Sequence, residues 1–195
     1  MTLVAIDECR GMRGGMTRNP YRRSMSELHI LRGRVEQRLA RTGLVVALLG
    51  AGGRGLAERR RIAGTLSRRG FVPLVPEDAF PRWISPSLVE EAVLSDDGVG
   101  LVFLKVGSWG SAAELGQLRG NPSVAPKLRI LVPPAYHPLH GVATGYLSDM
   151  YLTHLSVYGH VYAVDGRKRV RLPPTARLIL ILAERFRQAR AIGRG

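Results

Sequence analysis

Residues 107–114 read GSWGSAAE and bring together small residues, two hydroxyls and a carboxylate. Gly107 and Gly110 let a ligand approach the backbone. Ser108 and Ser111 offer hydroxyl and N–H donors, and Glu114 comes about one turn into the following helix. From that turn a carboxylate can point back over the loop into a crevice. The same letters also support a purely local role, because Ser111 and Glu114 form S-x-x-E, the capping box of a helix N-terminus. A second segment, residues 50–55, reads GAGGRG and matches G-x-G-x-x-G. Gly50, Gly52 and Gly53 there would let backbone N–H groups reach a phosphate at a helix start, although glycine-rich strand–helix turns are also common. Glu77 and Asp78 follow the next apolar run, where a sugar- or base-binding carboxylate belongs. Trp109 has two readings, a stacking partner for a base or a side chain packed on its own domain.

Metal chemistry is not suggested. The chain has a single cysteine, Cys9, and its five histidines lack ligand spacing. No cofactor motif beyond the glycine-rich loop stands out, and none is expected. Only three of the 29 basic residues are lysines, so arginine supplies the formal charge of +14. Arginine makes forked hydrogen bonds to phosphates and carboxylates, which makes an anionic partner plausible; compositional bias is the alternative. No apolar run approaches the roughly 20 residues of a membrane span, and the first residues lack a secretory pattern, so a cytoplasmic protein is expected.

The elements that must position these loops follow from hydropathy rhythm. Wholly apolar runs at 44–49, 71–75, 99–104, 128–132 and 160–164 read as strands covered on both faces. Helical spacing occupies the intervals: about 26–41, 56–69, from Ser85 or Ser87 onward, near 111–118, within 141–155, and from a Thr175 cap to about 190. The run LILILA in the last could form a strand, but Phe186 continues a helical stripe. The alternation predicts an α/β fold, Rossmann-like or flavodoxin-like, with a doubly wound, mostly parallel five-stranded sheet. The organisation expected is a basic arm and helix over 1–43, the arm itself covering 1–24, a nucleoside- or nucleotide-binding domain over 44–165, and a helix with basic tail over 166–195.

The stretch GSWGSAAELGQL after an apolar strand resembles the nucleoside 2-deoxyribosyltransferase-like families, including the related domains of retron effectors. The loop is also similar to the GGxGTxxE motif of lonely-guy-type nucleotide phosphoribohydrolases, with Gly107, Gly110, Ser111 and Glu114 in its places. VPEDAF at 75–80, SLVEEAVLSDD before the third strand, KLRILVPPAYHP and YGHVYAVD fit the first group, so the resemblance covers about 44–165. It implies a nucleoside or nucleotide ligand and cleavage of an N-glycosidic bond, with Glu114 as the nucleophile. A carboxylate suits that task because it stabilises or traps an oxocarbenium-like centre. Where those families carry an acid just before the loop, this chain has Lys105, Val106 and Gly107; Glu77, Asp78 or Glu91 would have to supply one. Two further functions compete: a non-catalytic protein that binds RNA, DNA or a ribonucleoprotein through arginine-rich termini, and a nucleotide sensor in defence. A homo-oligomer is compatible with each.

Overall fold

The structure is a computed structural model that describes residues 20–81, 83–142, 144–165 and 172–193. The chain divides into two compact units, residues 1–37 and residues 38–195. Most of the expected arm, residues 1–19, lies outside the described residues. Helix α1 (Pro20–Arg41) begins in the first unit, and its described part starts earlier than the spacing predicts. Along it Leu28, Leu31 and Val35 are exposed, and Arg32 donates to Glu36 at 2.7 Å.

The second unit carries β1 (Val45–Gly50), α2 (Arg54–Arg68), β2 (Val72–Leu74), the single-turn α3 (Pro76–Ala79), α4 (Pro86–Ser95), β3 (Val99–Lys105), α5 (Trp109–Leu118), β4 (Leu128–Val132), α6 (Tyr146–Tyr158), β5 (Val161–Ala163) and α7 (Thr175–Ala191). All five strands pair in parallel in the order β2-β1-β3-β4-β5, a doubly wound arrangement of flavodoxin-like order. The expected strands are all present. The second is shorter than its apolar run because Pro73 cannot donate to a ladder, which a sheet edge tolerates.

Strand alternation divides the core into two layers. Ala47, Leu49, Val102, Leu104, Ile130 and Val132 pack with Leu94 of α4, Leu115 and Leu118 of α5, and Met150 and Tyr151 of α6. Val46, Leu48, Leu101, Phe103 and Leu131 pack with Ile62 and Leu66 of α2 and Ile179 and Ala183 of α7. Two faces covered by helices explain why the strands are apolar throughout rather than alternating. Gly100 lies where α7 presses on β3; a Cβ there would run into the Leu44 side chain and sit 3.2 Å from the Phe186 ring.

Helix α7 starts differently from expectation. Thr175 is its first helical residue rather than its cap. Asp165, held at φ 54°, does the capping from across the loop: it accepts the Thr175 N–H at 3.1 Å and its hydroxyl at 2.7 Å. Lys105 at the end of β3 donates to the same carboxylate at 2.6 Å and to Glu58 of α2 at 3.0 Å. Burial opposes ionisation of Asp165, but Lys105 and Thr175 outweigh it and hold the carboxyl below its ordinary range.

A carboxylate crevice at the sheet's switch point

The sheet order reverses between β1 and β3, and their carboxyl ends open the crevice where doubly wound folds bind ligands. Gly50 closes β1 at φ 141°, and a Cβ on it would lie 2.7 Å from the Lys105 carbonyl oxygen. Glycine is therefore what lets the two strand ends approach. On the α4–α5 side of this point lies a cavity of about 240 Å³, lined by Leu49, Gly50, Arg59, Pro76, Glu77, Phe80, Pro81, Glu90 and Glu114.

Glu114 reaches this cavity because of how α5 begins. The sequence left open a capping box between Ser111 and Glu114; the observed box lies one turn earlier. Ser108 is the N-cap, its Oγ accepting the Ser111 N–H at 3.2 Å, and Ser111 Oγ accepts the Ser108 N–H at 2.9 Å. Ser111 Oγ also accepts the Gly107 N–H at 3.0 Å and donates to the Ser108 carbonyl at 2.9 Å. With the cap satisfied at Ser108, the helix starts at Trp109 and Glu114 is free of capping duty. Its Oε2 is buried with no hydrogen-bond partner among the described residues. Burial, then the negative charge of Glu90, raise its pKa to about 7; Arg59 partly opposes this and Glu77 adds to it.

Arg59 organises the crevice floor. It sits in the apolar stripe of α2 and is only 6% exposed. Its guanidinium donates to the carbonyls of Leu48 (3.2 Å), Gly50 (3.1 Å) and Ala51 (3.1 Å) and forks onto both oxygens of Glu77 at 2.7 and 2.5 Å. Burial would push Glu77 up, but the Arg59 hydrogen bonds prevail and keep it below its usual value. Glu90, on α4, is pushed up by burial and by the charge of Glu77. The crevice thus holds one carboxylate kept acidic by Arg59 and two that burial pushes up, Glu114 to about 7.

The structure places the residues named from sequence as follows. Gly50, Glu77 and Glu114 line the one cavity. Asp78 does not; it is paired outside with Arg60, whose Nε and Nη2 donate at 3.0 and 2.6 Å. Gly52 and Gly53 are exposed and line neither cavity at this edge. Gly53, at φ 57°, is the N-cap of α2. Gly107 lines a second cavity of about 250 Å³ between α2 and α7, with Gly50, Arg54, Lys105 and Thr175. The Ser108 and Ser111 hydroxyls are engaged in the cap, and Gly110 is an exposed residue in the first turn of α5. Trp109 is 93% exposed, so it neither packs on its domain nor faces Glu114; it borders hollows on the α5–α6 side with Tyr136 and Leu147. The acid sought at Glu91 is Glu90 instead, since Glu91 accepts from Asn121 at 3.0 Å and Gln117 at 3.2 Å. Sequence reading missed both Arg59 and Glu90. The signal for Arg59 was present: an arginine three residues after Leu56 and three before Ile62, on the stripe that must face the sheet.

Among the described residues no group of three or more histidine, cysteine or acidic side chains is arranged to hold a metal ion, and no helix is long and apolar enough to cross a membrane. Fold and site together define a flavodoxin-like α/β protein with a carboxylate-lined crevice at its switch point. No protein-family model matches the sequence, and none of the curated proteins matches it.

Proposed function

We propose that the chain is an N-glycosidase or deoxyribosyltransferase-like enzyme acting on nucleosides or nucleotides, with Glu114 facing the sugar's anomeric carbon. The observation that carries this reading is the buried, unpartnered Glu114 Oε2 in a switch-point crevice with two further carboxyl groups. In the reaction the bond from the anomeric carbon to the base nitrogen breaks and its electron pair leaves with the base. The Glu114 carboxylate stabilises the positive charge on the sugar or bonds to it. A proton from solvent at the open side of the crevice reaches the departing base. Water or an acceptor base then takes the sugar and releases its proton to solvent. Arg59 keeps Glu77 ionised, where it accepts sugar hydroxyls. The cavity is smaller than the roughly 300–1,000 Å³ of sites for drug-sized ligands, a size that suits a pentose with the base extending outward.

The test is incubation with a panel of nucleosides and nucleotides, with free base followed by chromatography, for wild type and Glu114→Gln. Wild type releases base and the variant does not. The rate rises with pH through about 7 as Glu114 ionises. A rate that instead falls through that range makes Glu114 the proton donor and ends the nucleophile assignment. Base release by Glu114→Gln removes Glu114 from the mechanism.

A further inference from the structure

The helices on the two faces of the sheet differ sharply in charge. Helices α2 and α7 carry nine arginines, Arg54, Arg59, Arg60, Arg61 and Arg68 on one and Arg177, Arg185, Arg187 and Arg190 on the other. Their only acids are Glu58 and Glu184, and both are already engaged, by Lys105 and Arg187. Helices α4, α5 and α6 contain no lysine or arginine, and four acids. An organism's preference for arginine would decorate all five helices alike. The segregation therefore belongs to this fold, and it gives the domain one cationic face.

We infer that the α2–α7 face is a docking surface for the phosphate backbone of a double-helical nucleic acid. The two helices pack into one core layer, and their C-terminal ends meet where Arg187 donates to the Arg69 carbonyl at 2.8 Å and lies over the Phe71 ring. Arg54, Arg61 and Arg68 are all exposed and recur every seven residues, about two turns, so they line one side of α2. Arg177, Arg185 and Arg190 are exposed along α7. Among the described residues none of these six has a carboxylate partner, so their charge is available. The α2 row runs about 20 Å at 1.5 Å per residue, the rise of about six base pairs, the α7 arginines add charge beside it, and forked guanidinium groups suit phosphate oxygens.

The same face argues against other polyanions. Single strands are held by stacking on aromatic rings, and neither helix exposes one; the exposed Trp83, Trp109, Tyr136 and Tyr146 lie elsewhere. A membrane-surface helix needs bulky apolar residues beside its cations, and Ile181 is the sole exposed large apolar residue on these two helices. This inference does not rest on the role of Glu114.

The experiment measures fluorescence anisotropy of the full chain with DNA and RNA duplexes of about 20 base pairs, between about 50 and 200 mM salt. The variant Arg61→Gln, Arg68→Gln, Arg177→Gln, Arg185→Gln is compared with wild type, with the corresponding four Arg→Lys changes and with Arg34→Gln, Arg38→Gln on α1. Wild type binds duplex at low salt, and the two duplexes decide between DNA and RNA. The glutamine variant loses more than tenfold in affinity, and its plot of log affinity against log salt is flatter by about three to four units, at about 0.9 per lost phosphate contact. The lysine variant retains the slope, and the α1 variant loses less than the glutamine variant. Circular dichroism verifies that each variant is folded, and base release by the glutamine variant matches wild type. An unchanged slope in the glutamine variant, no duplex binding at low salt, tighter binding to a single strand, or equal binding to phosphatidylserine vesicles overturns the proposal.

Discussion

Replacing Glu114 by glutamine tests the crevice through stability alone, with no substrate present. In the folded protein burial and the nearby Glu90 hold the Glu114 proton up to about 7, against 4.5 for an unhindered glutamate. The folded state therefore binds this proton more tightly than the unfolded chain does. The stabilisation is full below pH 4.5, declines as pH rises, and is lost above about 7. A gap of about 2.5 pH units at about 1.36 kcal/mol each gives an upper bound of about 3.4 kcal/mol. Glu114 is partly open to the crevice, and solvent screening reduces the effect to about 1–3 kcal/mol. Glutamine keeps the shape and carries no charge at either pH. Urea denaturation at pH 5 and pH 8 should therefore give a wild type that loses about 1–3 kcal/mol more than Glu114→Gln on going to the higher pH. At pH 8 the variant should be the more stable protein. Identical pH dependence in the two proteins would mean that Glu114 titrates normally, and the buried, unpartnered carboxyl group would be disproved.

Two further substitutions probe the frame around it. Arg59→Met strips the donor from three carbonyls and removes the partner of the solvent-screened Glu77, so denaturant unfolding should show a loss of about 1–3 kcal/mol, mainly from the carbonyls left unsatisfied. Gly50→Ala places a methyl 2.7 Å from the Lys105 carbonyl oxygen at a φ that disfavours side chains; it should cost about 1–3 kcal/mol and lower the melting temperature, with the loss of base release exceeding the loss of folded protein.

What could be read in advance divides along physical lines. The strands were visible because a sheet sandwiched between helices demands apolar residues at every position, so VVALL and VGLVFL stand out in any window. Glu114 was visible because its loop is unusual. Its partners were not, for two different reasons. Arg59 is one arginine in a helix segment that reads ERRR, and nothing local says which of the three turns inward; only the stripe through Leu56 and Ile62 does. Glu90 and Glu91 are adjacent, and a shift of one residue rotates a helical side chain by about 100 degrees. Which of the two meets Glu114 depends on how α4 rests on β3, a tertiary fact. The cap of α5 shows the same limit. Ser108 and Ser111 are both good N-caps by type, and the choice between them was made by Gly107, whose N–H needed an acceptor that Ser111 supplies.

Helix α7 also has a consequence for how the chain is made. It follows all five strands in the chain, yet its residues Ile179 and Ala183 complete the layer over Leu101, Phe103 and Leu131. All five strands can be synthesised while that layer still faces water, and the staple that seats α7, Asp165 with Thr175 and Lys105, forms only afterwards. Until then the nascent sheet presents an open apolar surface flanked by arginines. Such a surface is what holdase chaperones bind and what drives incomplete chains to aggregate, so a ribosome stalled before residue 175 would release an insoluble polypeptide rather than a smaller version of the domain.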